Sequence, residues 1–154
     1  MGRLSPELKR LRYFIGSWNI AGEVKPSSFG PAGTLTGIHR NEWSSDGLSL
    51  ISNWSEQRSG DSDSGQATYG YDSDGKTYTY HSIDATGEKE DSVGSVEGHT
   101  WTWLSNPTLA DGSAVKGRFT MKEETAAAYS FKFEIAPANG EWAVVMEGKA
   151  SERP

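Results

Sequence analysis

Hydrophobic and polar residues alternate along most of this chain, in short runs broken by glycine-containing turns. A period of two is the mark of half-buried β-strands. The pattern predicts ten strands, at about 17–25, 34–44, 48–57, 66–72, 76–84, 88–97, 100–105, 114–123, 127–136 and 141–150. Only the start departs from it. Ser5 suits a helix cap, Pro6 the first helical position and Glu7 the dipole. Leu8, Leu11 and Ile15 share one face, with Phe14 beside them, and Gly16 ends the run. A helix over about 6–15 is therefore expected ahead of a barrel over about 17–150, with 1–154 as a single domain. All connections are short enough for hairpins, and ten antiparallel strands can close on themselves, which removes exposed edges. The expected fold is all-β, an antiparallel up-and-down barrel with a short N-terminal helix.

Connections 26–33, 58–65 and 106–113 are the long ones, and in an up-and-down barrel all three fall at one end. The turns at Asp46-Gly47, Ser73-Asp74-Gly75, Gly98-His99 and Glu124-Thr125-Ala126 are short. The loopy end is the expected mouth, with Phe29 between Pro26 and Pro31 as a candidate lid, and the helix plugs the tight end. Turn chemistry then sets register, and register decides which residues face inward. Asn139-Gly140 as a two-residue turn pairs Pro137 with Trp142, Ile135 with Val144 and Phe133 with Met146. Asp46-Gly47 pairs Trp43 with Leu50, Asn41 with Ser52 and His39 with Trp54. The face holding Trp43, Leu48, Leu50 and Trp54 goes inward and takes His39, Asn41, Ser52 and Glu56 with it. Asp72 to Lys76 suits a type I turn with a glycine bulge, pairing Tyr71 with Thr77, Tyr69 with Thr79 and Ala67 with His81. That register points His81 inward, although the Ala85-Thr86-Gly87 connection allows either face. Val96, Trp101 and Trp103 are expected inside with Ser92 and Glu90.

Composition narrows the function classes. The chain has 154 residues, no cysteine and a formal charge of −6. Without cysteine there is no disulfide frame, thiol nucleophile or thiolate metal site. An acidic surface opposes binding to nucleic acid. No apolar run reaches the length of a membrane helix, and the first residues lack the apolar core of an export signal. A cytoplasmic monomer or homodimer that engages neither nucleic acid nor membrane is expected.

Two kinds of chemistry fit the inward set. A buried imidazole beside a carboxylate serves as a general base, which makes His81, His39 and Glu56 the candidate catalytic residues. The same groups serve equally as structural hydrogen-bond partners. The aromatic interior exceeds what a small closed barrel needs for filling, and ten strands leave more room than eight. The candidate ligand-binding residues are His39, Asn41, Trp43, Ser52, Trp54, Tyr69, His81, Trp103, Phe119, Phe133, Trp142 and Met146. The expected function is binding of a small apolar or aromatic molecule inside the barrel. The alternative is a cofactor-independent isomerase, cyclase or hydrolase using acid–base groups there. No metal site is expected, because no zinc-type spacing occurs. Asp61-Ser62-Asp63-Ser64-Gly65 matches only the opening of a calcium loop, since Gln66 and Asp72 occupy the positions of its glycine and closing glutamate. No cofactor is expected, with haem on an inward histidine as the minor alternative.

Gly16-Ser17-Trp18 after a short helix is similar to the glycine-x-tryptophan signature of lipocalins and other calycins. The resemblance implies that Trp18 closes the barrel bottom, under a basic residue such as Lys149 or Arg153. Further motifs follow in order: Ser5-Pro6-Glu7-Leu8, Lys25 to Pro31, Tyr78-Thr79-Tyr80, Trp101-Thr102-Trp103, Val115-Lys116-Gly117-Arg118 and Val145 to Lys149. Together they resemble a bacterial family of lipocalin-like proteins known as a domain of unknown function. That resemblance covers nearly the whole chain, implies the barrel and transfers no catalytic residues. In architecture alone the chain is also similar to nitrobindin-type haem barrels. Asn106-Pro107-Thr108-Leu109-Ala110 departs from the family pattern.

Overall fold

Ser5 Oγ accepts the Leu8 amide at 3.1 Å and opens helix α1 (Pro6–Arg10). The computed structural model describes residues 5–27, 31–108, 112–137 and 140–153. After α1 the chain tightens into a 3₁₀ turn over Leu11–Phe14, which buries Leu11 and Phe14. Ten strands follow: β1 (Gly16–Val24), β2 (Gly33–Trp43), β3 (Leu50–Arg58), β4 (Asp61–Asp72), β5 (Thr77–Asp84), β6 (Lys89–Glu97), β7 (Thr100–Ser105), β8 (Val115–Thr125), β9 (Ala128–Pro137) and β10 (Ala143–Glu152). Each pairs antiparallel with its sequence neighbour, and β1 pairs with β10 to close an up-and-down barrel. Among the described residues no helix is long and apolar enough to cross a membrane.

The helix closes one end, where the core is tightest. Leu11, Trp18, Trp101 and Ala150 are fully buried. The Phe14 carbonyl accepts Trp18 Nε1–H at 2.9 Å and the Asn41 amide at 2.8 Å, which ties the turn to β1 and β2. Arg10 pairs with Glu123 at 2.7 Å and lies over the Trp101 ring at 5.3 Å, and Trp101 donates to the same carboxylate. The residue over an aromatic floor is thus a helix arginine. Lys149 is exposed, opposite the exposed Ala21.

Four expectations are corrected. The 58–65 connection is not long: Ser59 and Gly60, both at positive φ, form a two-residue hairpin, and Arg58 pairs with Asp61. Such turns match the twist of the strands they join, so the polar acidic run continues as ladder. The β4–β5 turn holds four residues, with Lys76 rather than Gly75 in the left-handed region at φ 55°. Tyr71 therefore faces Tyr78 and Tyr69 faces Tyr80, a slip of one residue that reverses the whole strand. A bulge between Val144 and Met146 pairs Ile135 with Ala143, while Met146 still faces Phe133. Leu48 lies in the turn before β3 and is 52% exposed. Phe29 and Asn139 lie outside the described residues.

Candidate functional site

Alternation along β2 and β3 places Leu35, Gly37, His39 and Asn41 on the inner face opposite Arg58, Glu56, Trp54 and Ser52. The inner face continues through Tyr69 and Ala67 of β4 and Tyr80 and Ser82 of β5. It then runs to Ser92 and Glu90 of β6, and Trp103 of β7 faces Phe119, which faces Phe133. Burial is uneven along this wall: Leu35, Glu56 and Met146 are buried, whereas His39, Trp54, Tyr69, Tyr80, Phe119 and Phe133 face inward and stay partly accessible.

A charged chain crosses this half-open region. His39 Nε2 lies 2.8 Å from Glu56 Oε2, and Arg58 Nη2 lies 2.8 Å from Glu56 Oε1. Burial pushes the Glu56 carboxyl up. The hydrogen bond from His39 and the charge of Arg58 more than offset it and bring the pKa down to about 2. An ionised carboxylate only accepts, so His39 Nε2–H is the donor in this bond. Burial pushes the Tyr80 phenol to about 12 and raises Tyr69 as well. Glu90 keeps much of its surface open, yet the walls around it still push its carboxyl up.

The candidate residues divide. His39, Glu56, Trp54, Tyr69, Trp103, Phe119, Phe133 and Met146 lie on the inner wall. Asn41 and Trp43 sit toward the closed end, where the Asn41 amide holds the Phe14 carbonyl, and Ser52 is buried beside them. Two belong outside. His81 points outward, 63% exposed at its side chain, and pairs with Asp91 at 2.6 Å, because the longer turn reverses β5. Trp142 precedes β10 and lies 4.2 Å from the Arg118 guanidinium, which grips Glu134 at 3.1 and 3.2 Å on the outer wall. The Val144/Met146 bulge separates it from the face of Met146. Arg58 and Tyr80 were missing from the candidates. Arg58 continues the inward period of Leu50, Ser52, Trp54 and Glu56, and the facing pairs Tyr71–Tyr78 and Tyr69–Tyr80 were available as an alternative register. Among the described residues no three His, Asp or Glu side chains gather into a metal site.

No family model matches the chain, and no curated protein matches it. Solved structures do. Rv2717c from M. tuberculosis is similar over 99% of this chain and 100% of its own, with TM-score 0.64 and 14% identity. The S-type phycobiliprotein lyase CPES from Guillardia theta is similar over 99% of this chain and 94% of its own, with TM-score 0.64 and 9% identity. At these identities the likeness establishes a shared lipocalin-like barrel.

Proposed function

We propose that the protein binds a small, mostly apolar or aromatic molecule in the half of the barrel away from the helix. The observation that carries this is the set of inward aromatic rings left partly accessible. Trp54, Tyr69, Tyr80, Phe119 and Phe133 face inward without burying one another completely, around the polar chain of His39, Glu56 and Arg58. Aromatic walls supply burial, and a few fixed polar groups orient the ligand. The phycobiliprotein lyase gives coarse support, as a barrel of this fold whose work is done on another molecule. The motif order supports placing the chain with the bacterial lipocalin-like barrels. Native mass spectrometry compared with the denatured mass tests binding, followed by titration with aromatic probes read by tryptophan fluorescence. A small-molecule adduct lost on denaturation, or saturable quenching that Trp54→Ala weakens, is the expected result. A bare native mass together with no saturable response to any probe would discard the proposal.

A second function has its own observation. Glu56 holds His39 by Nε2 and Arg58 holds Glu56, an arrangement that orients an imidazole as a general base through Nδ1. If such chemistry occurs, His39→Ala and Glu56→Gln lower turnover more than binding. Equal losses in both leave binding alone.

A further inference from the structure

The described core tryptophans differ in how their indole N–H groups are met. At the closed end Trp18 donates to the Phe14 carbonyl and Trp101 to the Glu123 carboxylate, while Trp43 stays partly accessible to solvent. On the inner wall above them, the N–H groups of Trp54 and Trp103 are buried and have no acceptor among the described residues. Trp103 is only 4% exposed. Both rings pack closely over a glycine. Trp103 lies flat over Gly94, where a Cβ would come within 2.4 Å of the ring, and it is stacked on Trp101 and edged by Tyr69 at 5.4 Å. Trp54 lies over Gly65, where a Cβ would come within 2.6 Å of its ring. A buried donor without a partner destabilises a fold, and one held in place by packing calls for an acceptor from outside the chain.

Charge restricts that acceptor. Arg58 pairs with Glu56 at 2.8 Å, and its field also reaches Glu90, which forms no ion pair among the described residues. The fields of Glu56 and Glu90 both reach the phenols of Tyr69 and Tyr80. A carboxylate ligand entering here meets two carboxylates, Glu56 and Glu90, against the single guanidinium of Arg58.

We propose that Trp54 and Trp103 donate their indole N–H groups to the ligand, which is a planar aromatic molecule carrying neutral acceptors, a carbonyl or ring nitrogen, and is neither a plain hydrocarbon nor an anion. This rests on the proposed binding inside the barrel and adds the ligand's chemistry to it. Three matched probes separate the possibilities: fluorene, fluorenone and fluorene carboxylate, titrated into full-length protein labelled with indole nitrogen-15. Trp54→Phe and Trp103→Phe assign the two resonances. Fluorenone is expected to bind about 3- to 10-fold more tightly than fluorene for each hydrogen bond made. It should also shift the Trp54 and Trp103 N–H resonances, which fluorene leaves in place. The carboxylate should bind most weakly. Equal affinity for fluorene and fluorenone with both resonances unmoved overturns the inference and leaves apolar binding standing, as does tightest binding of the carboxylate. If none of the three binds, the barrel site itself is discarded and this inference with it.

Discussion

Glu56 reaches His39 diagonally across the sheet. In the β2–β3 ladder Glu56 faces Gly37 and His39 faces Trp54, yet the carboxylate lies 2.8 Å from the imidazole. Gly37 makes this possible, since a Cβ there would come within 2.8 Å of Glu56 Cγ. Gly37→Ala should push the Glu56 side chain aside at a cost of about 1–3 kcal/mol. Urea denaturation measures the loss, and the hydrogen-bonded His39 Nε2–H resonance should vanish. A variant with unchanged stability and that resonance intact would contradict the geometry.

Acid should weaken the fold through the same carboxyl. Its pKa is about 2 in the folded protein against an ordinary 4.5. A group held below its unfolded value stabilises the fold above the unfolded pKa, and that contribution is lost as pH falls through the folded one. The loss therefore runs from about pH 4.5 toward pH 2 and amounts at most to about 3 kcal/mol. Glu56→Gln should cost about 1.5–3 kcal/mol at neutral pH, since it removes charged hydrogen bonds. It should also flatten this part of the stability–pH curve, measured by denaturant titration at a series of pH values.

The two histidines should behave oppositely. His81 lies on the outer surface with Asp91, while His39 is on the inner wall. His81→Ala should leave probe affinity within about twofold, since surface substitutions away from special features are near neutral. His39→Ala should weaken the binding of a polar aromatic probe. A larger effect at His81 would show that β5 has the other register in solution.

Alkali should act on the phenols. Burial raises Tyr69 and Tyr129, and takes Tyr80 to about 12, against the usual 10. Raised pKa values contribute stability that is whole below the unfolded value and disappears as pH climbs through the folded one. Absorbance titration near 295 nm should show late-ionising tyrosines in the native protein, all moving to about 10 on unfolding. Loss of stability should set in above about pH 10.

The closed end should be the most costly to disturb. Trp18 is fully buried and holds the Phe14 carbonyl. Trp18→Ala should lose about 3–5 kcal/mol, read from the denaturation midpoint at unchanged slope. A small loss would mean that the helix does not seal the barrel.

Much of this was legible in the amino-acid sequence, because alternation and turn chemistry act over a few residues. The ten strands, the helix at the tight end and the inward set of β2, β3, β6 and β7 follow from local pattern. His39 and Glu56 reach the inner wall by parity alone. Tertiary structure decided what parity leaves open. One extra residue in the Ser73–Lys76 turn sends His81 out and Tyr80 in, and one bulged residue at Val145 parts Trp142 from Met146. A two-fold strand period converts each one-residue ambiguity into a choice between core and solvent, and a short turn accommodates either count at similar cost. The orphaned N–H groups of Trp54 and Trp103 were likewise invisible in sequence, because an unmet hydrogen bond depends on everything packed around it.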